Sequence, residues 1–144
     1  MILKTYTVIA KDFDHAGCVS SDIKRWAKSE NLDADLIRRL AIACYEAEIN
    51  MIIHSLGGTI TLSQDDDDLK LIFQDSGPGI ENIELAMKAG WSSANDVAQS
   101  MGFGAGLGLP NIHKNADTFK LESCCEGTKL TLGFKLKGET HDPQ

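Results

Sequence analysis

Four glycines at alternate positions, Gly102, Gly104, Gly106 and Gly108, run into Leu109-Pro110 and what reads as the start of a helix. Glycine reaches backbone angles closed to other residues and lets a ligand approach the main chain, and a helix N-terminus presents unpaired N–H groups to an anion. The stretch suits phosphate, although alternating glycines also make plain linkers and turns. Neither common nucleotide fingerprint is present. There is no Gly-x-x-x-x-Gly-Lys-Ser/Thr, and although Gly102-Phe103-Gly104-Ala105-Gly106 begins like a dinucleotide loop, the preceding Trp91 to Met101 is polar and shows no strand pattern.

The rest of the composition narrows what such a loop could serve. At 144 residues, 42% hydrophobic and 24% charged, the chain is expected to form one globular domain over residues 1–137 with a frayed polar tail at 138–144. A net charge of −7 argues against nucleic acid or an anionic membrane as a direct partner, since both need a basic surface. No apolar run reaches the roughly 18 residues of a membrane span, and the N-terminus lacks a signal-peptide layout, so a cytoplasmic location is expected. Cys18, Cys44, Cys124 and Cys125 show no Cys-x-x-Cys spacing and read as buried or half-buried thiols of a reducing compartment.

In chain order, Thr5 to Ala10 reads as a β-branched strand. A helical stretch opens at Asp14 or His15, with Val19, Ile23, Trp26 and Ala27 at helical spacing, and closes near Glu30-Asn31. Asp33 then caps a longer helix to about Ser55, with Leu36, Leu40, Ala43, Ala47, Asn50 and Met51 along one side and Gly57-Gly58 as its stop. Thr59–Ser63 and Leu69–Phe73 alternate as the arms of a hairpin whose acidic turn, Gln64 to Asp68, reads as solvated charge. A short helix around Ile83 to Met87 ends at Gly90. Trp91 to Gly106 is long for a connection and reads as a lid or binding loop. Leu107 to about Asn115 is a helix with Pro110 in its first turn. Thr118–Cys124 and Lys129–Leu136 are two more strands, joined through Glu126-Gly127-Thr128.

Two places carry polar groups where structure alone does not ask for them. Glu46, Asn50 and His54 recur at i, i+4, i+8 and so share one helix face, with Glu48 about 200° round from Glu46; a solvated stripe would look the same. Asp75 ends a strand and is followed by Gly77-Pro78-Gly79, which places a carboxylate at a cleft while the backbone bends away, and which also serves as turn chemistry.

The order Glu46-x-x-x-Asn50 on a helix, Asp75-x-Gly77-x-Gly79 after a strand, Gly102-x-Gly104-x-Gly106-Leu107-Gly108-Leu109 before a helix, then Gly127-Thr128 entering a strand resembles the ATP-binding fold shared by gyrase, Hsp90-type chaperones, histidine kinases and mismatch-repair ATPases. The resemblance spans roughly residues 5 to 137. It implies an α/β fold of the Bergerat type, an α+β two-layer sandwich whose mixed, mostly antiparallel sheet is covered on one face by helices. Within that superfamily the chain looks most like the small bacterial serine/threonine kinases that act as anti-sigma factors or partner switches. That likeness implies ATP and Mg²⁺, with Asn50 on the metal ion and Glu46 as the general base. It further implies Asp75 on the adenine amino group with Thr128 beside it, Gly77 and Gly79 against the base, and Gly104, Gly106, Leu107 and Gly108 closing on the phosphates. His54 is read as support for the helix end. Ala89 through Gly108 holds no Lys or Arg, which leaves the γ-phosphate to Mg²⁺, backbone N–H groups, Lys114 or a partner's residue. The implied activity is phosphorylation of a small anti-anti-sigma-like antagonist, with a sigma factor as a second partner and a homodimer formed through the first strand and helix. The alternative is an ATP-gated binding module that sequesters a sigma factor or regulates a partner enzyme with negligible phosphotransfer.

Overall fold

Alternation of apolar and polar residues sets the sheet and decides which face is buried. In the computed structural model, which describes residues 1–76, 108–124 and 126–136, the strands are β1 (Ile2–Val8), β2 (Gly58–Asp65), β3 (Asp68–Ser76), β4 (Thr118–Cys124) and β5 (Gly127–Lys135), in the spatial order β1-β2-β3-β5-β4. Every pairing is antiparallel, so the described strands form a purely antiparallel sheet where a mixed, mostly antiparallel one was expected. Leu62 lies opposite Leu71 and Leu71 opposite Leu132; Ile60 lies opposite Phe73 and Phe73 opposite Leu130. All are buried. The intervening Thr59, Thr61, Lys70, Gln74 and Thr131 keep contact with solvent. A one-residue slip would exchange the two sets, so burial fixes the register.

Among the described residues three helices cover the apolar face: α1 (Cys18–Ser29), α2 (Ala34–His54) and α3 (Leu109–Asn115). Asp33 caps α2, its carboxylate accepting from the N–H groups of Asp35 at 3.0 Å and Leu36 at 3.4 Å, as its position in the sequence predicts. Leu36, Leu40, Ala43, Ala47 and Met51 of α2, Val19, Ile23 and Ala27 of α1, and Leu109 and Ile112 of α3 join the strand residues in one core. Each fully buried Leu or Ile contributes about 2 kcal/mol. α2 packs against α1, α3, β1 and β3, and so is the spine of the helical layer. Trp26 is partly buried against the core.

Several boundaries differ from the sequence reading for local reasons. β1 begins at Ile2, paired with Ser63, and ends at Val8. Lys11 takes a left-handed φ of 62° and donates its N–H to Ile52 O at 2.8 Å, so the chain has already left the sheet. Phe13–His15 is a 3-10 turn, and α1 starts only at Cys18 after Gly17. Asp65 pairs with Asp68, leaving Asp66 and Asp67 as the turn, with Asp66 at φ 53°. Cys18 is exposed, whereas Cys44 is buried as expected. No helix among the described residues is long and apolar enough to cross a membrane. The short helix at Ile83 to Met87, the lid at Trp91 to Gly106 and the tail at 138–144 lie outside the described residues.

Candidate functional site

The end of β3 is built to hold one carboxylate. Asp75 sits between Gly58 of β2 and Thr128 of β5. A Cβ on Gly58 would come within 2.0 Å of Gln74 O, and one on Gly127 within 2.1 Å of Asp75 O, so only glycines let the flanking strands close on β3 at this point. Asp75 Oδ1 accepts the Thr128 N–H at 3.0 Å, and Thr128 Oγ1 lies 3.2 Å from Ser123 Oγ. These groups line an open cavity of about 470 Å³ together with Ser76 and Glu122. Burial raises the Asp75 carboxyl above its ordinary range and the Thr128 N–H draws it back. A carboxylate offers four lone-pair sites, so one N–H leaves capacity for a ligand's amino group.

A second group of residues forms where α2 meets the N-terminus of α3. Gly108 caps α3 in the left-handed conformation, φ 66°, and a Cβ there would lie 2.2 Å from Glu46 Oε2 and 3.1 Å from its Cδ. The carboxylate of Glu46 therefore rests against the last glycine of the glycine-rich stretch. Burial raises the Glu46 carboxyl above its ordinary range, and a hydrogen bond from the Asn111 side chain draws it back. Pro110 sits in the first turn of α3, where its missing N–H leaves no bond unmade.

Asn50 and His54 follow Glu46 along α2 at successive turns, and all three are partly buried; the face is not a solvated stripe. Burial, then the charge of Lys11, lowers His54 to about 4, so the ring is neutral at physiological pH. Lys11 Nζ donates to the carbonyl of Ile53, which fits His54 as part of the helix end. Among the described residues there is no group of three or more acidic, His or Cys side chains able to cage a metal ion. Asn50 supplies a neutral oxygen, a donor suited to Mg²⁺, which keeps several waters and takes other ligands from phosphates.

The end of α2 connects the two regions. Leu56 N–H donates to Ser76 O at 2.8 Å and Ser76 N–H to Gly57 O at 3.0 Å, so the chain leaving α2 is stitched to the residue after Asp75. From Glu46 to the end of α2 is about 12 Å at 1.5 Å per residue. The two polar regions thus lie at either end of one helical ruler.

Gly77, Gly79, Gly104, Gly106 and Leu107 lie outside the described residues. Lys114 is exposed in the last turn of α3, at the end away from Gly108. Three residues to which the sequence assigned no role stand out in the structure. Glu48, 1% exposed, accepts the N–H groups of Gly17 at 3.1 Å, Val19 at 3.2 Å and Ser20 at 3.1 Å; it fills the N-terminus of α1 with the chain's own carboxylate. Arg39, also buried, donates to Asn115 O at 3.0 Å and to Asp35 at 2.9 Å. Asn111 lines one cavity with Glu46. A charge on the apolar side of α2 was the available signal for Glu48 and Arg39; Asn111 gave none.

Residues 9–134 match the histidine kinase-like ATPase domain family. The chain is 33% identical over 137 residues to the anti-sigma F factor of Clostridium acetobutylicum, covering 80% of this chain and 92% of that factor. It is also 33% identical over 97 residues to the serine/threonine-protein kinase RsbT of Bacillus subtilis, covering 64% of this chain and 67% of that kinase. Among solved structures, a chain of the SiaB–SiaC complex of Pseudomonas aeruginosa shares the fold with a TM-score of 0.62 at 12% identity, covering 92% of this chain and 89% of that one. The RsbU and RsbW domains of a Mycobacterium tuberculosis protein do so with a TM-score of 0.60 at 15% identity, covering 93% of this chain and 32% of that one.

Proposed function

The chain belongs to the histidine kinase-like ATPase domain family, and from that footing we propose that it is an ATP- and Mg²⁺-dependent serine/threonine protein kinase of the anti-sigma, partner-switching type. Its substrate is a small anti-anti-sigma-like antagonist, and a sigma factor is the second partner. The observation that supports this reading best is the Glu46 carboxylate, partly buried and seated against Gly108 at the N-terminus of α3. That is where a base belongs if the glycine-rich stretch closes on a terminal phosphate.

Each residue then has a task. Asp75, oriented by Thr128 N–H, accepts the adenine amino group, with the Thr128 hydroxyl beside it. Gly77 and Gly79 let the base lie against backbone, and Gly104, Gly106, Leu107 and Gly108 wrap the phosphates. Asn50 would be the protein ligand to Mg²⁺. Bound Mg-ATP supplies the phosphoryl group and the cation that offsets its charge. Glu46 takes the proton of the acceptor hydroxyl as its oxygen bonds to the phosphorus and ADP departs. The new phosphate brings about −1.5 to −2 charges into the antagonist's interface and releases it. His54 stays neutral and serves the helix end.

One sequence observation favours a second reading, an ATP-gated binding module without appreciable transfer: residues 89–108 contain no Lys or Arg to meet the γ-phosphate. Labelled transfer separates the two. With γ-labelled ATP, Mg²⁺ and an anti-anti-sigma-type domain from the same genome, the wild type is expected to label one Ser or Thr of the acceptor. Glu46→Gln is expected to lose at least about a hundredfold in rate while binding ATP within a few-fold of wild type. ATP-dependent complex formation with no labelled acceptor would overturn the kinase in favour of the binder.

A further inference from the structure

α2 and α3 are clamped together at two points two helical turns apart. At one, the Arg39 guanidinium donates to Asn115 O at 3.0 Å; at the other, Glu46 sits against Gly108, with Asn111 lining the same cavity. Arg39 and Glu46 lie as far apart along α2 as Asn115 and Gly108 do along α3, in the opposite sense, so the helices run antiparallel with matched spacing. Asn115, 4% exposed, joins the two points. Its Nδ2 donates to Asn111 O at 2.8 Å and lies 3.3 Å from Asn111 Oδ1.

That last contact determines which way the Asn111 amide faces. Asn115 Nδ2 is a donor, so the Asn111 atom beside it is the carbonyl oxygen, and the NH₂ of Asn111 is turned away from it. An ionised carboxylate only accepts, so Glu46 requires a donor from Asn111. The two neighbours demand the same orientation. Glu46 and Asn111 line a common cavity of about 450 Å³, whose titratable neighbours among the described residues are Lys24 of α1 and Tyr45 of α2.

We propose that Asn111 is a positioning residue: anchored through Asn115, its side-chain amide fixes the orientation of the Glu46 carboxylate against Gly108. A base must aim a lone pair at the attacking hydroxyl, and a donor on the carboxylate restricts its rotation. The inference builds on the kinase reading of Glu46, and its test separates the two.

The first readout needs no nucleotide. In the amide spectrum of the wild type, the Asn111 side-chain protons are expected to exchange at least about tenfold more slowly than those of an exposed asparagine. Glu46→Ala and Asn115→Ala should each remove that protection. The second readout is kinetic. Asn111→Leu, similar in shape but without the donor, is expected to lower kcat about tenfold with KM for ATP within about twofold, whereas general damage to the fold would move both. Asn111→Asp, which sets a second carboxylate beside Glu46, is expected to be slower still. An unprotected Asn111 amide in the folded wild type, or a wild-type kcat in both Asn111 variants, overturns the proposal. A protected amide in a protein that binds ATP but transfers nothing supports the Asn111–Glu46 contact and overturns the kinase reading.

Discussion

Gly108 has two separate reasons to be glycine, and both bear on Glu46. Its φ of 66° is a left-handed conformation that disfavours a Cβ, and that Cβ would fall 2.2 Å from Glu46 Oε2. Gly108→Ala is expected to destabilise the fold by only about 1–2 kcal/mol, because the Glu46 side chain can swing aside. In doing so it leaves the position proposed for the base, so turnover should fall by about a hundredfold or more; urea unfolding beside phosphotransfer assays would show that split. His54 yields a pH prediction. The unfolded ring protonates near its ordinary 6.5 and the folded one at about 4. Between those values the unfolded state binds more protons, so His54 makes stability fall as pH falls from 6.5 to 4 and level off below that. The loss is about 2 kcal/mol, less than full linkage because the ring is not wholly removed from water. The raised carboxyls of Glu46, Glu48 and Asp75 act in the opposite sense, so the measurement is the difference between wild type and His54→Leu. That difference should shrink steadily across the window.

At the scale of elements, two buried charges on α2 hold its neighbours. Glu48 satisfies three N–H groups at the start of α1, which is why α1 begins at Cys18 and not at Asp14. Glu48→Ala should destabilise the protein by about 3 kcal/mol, since three buried donors lose their acceptor. Glu48→Gln, keeping one oxygen, should lose less, and thermal unfolding of the pair would show that order. Arg39→Ala is expected to loosen α3 at its C-terminal end, lowering stability by about 2–4 kcal/mol and increasing hydrogen exchange through Leu109–Asn115. The reverse, loss of stability without local exchange in α3, would assign Arg39 to the core alone. These two residues also mark where sequence reasoning stopped. The 3.6-residue period revealed α2, its Asp33 cap and its apolar side. A charge on that side has no visible partner until the fold supplies one, because the donors to Glu48 are backbone N–H groups about 30 residues earlier and the Arg39 acceptor is a carbonyl 76 residues later.

At the scale of the whole molecule, an antiparallel sheet with a helical layer on one face places β3 centrally, between β2 and β5, and the polar end of that strand becomes one pole of the site. Strand alternation made β2, β3, β4 and β5 legible, because period-2 patterning is local. The exact ends were not legible, since β1 starts where Ser63 offers it a partner and stops where Lys11 turns toward α2. The roles proposed for Glu46, Asp75 and Thr128 came from the order of the boxes and its resemblance to the ATP-binding fold, because the i, i+4 spacing of Glu46 and Asn50 alone fits a solvated stripe as well. Asn111 was not legible, because its meaning comes from packing α3 against α2. Glycines at 58 and 127 showed as turn punctuation, and only the sheet reveals that they make room for Asp75. The central claim is that this architecture binds Mg-ATP through Asp75, and calorimetry of Mg-ATP with the wild type beside Asp75→Asn tests it most directly. Saturable one-site binding by the wild type, weakened at least about a hundredfold in a folded Asp75→Asn variant, is the predicted result. Equal binding by both proteins, or none by the wild type with Mg²⁺ present, would contradict it.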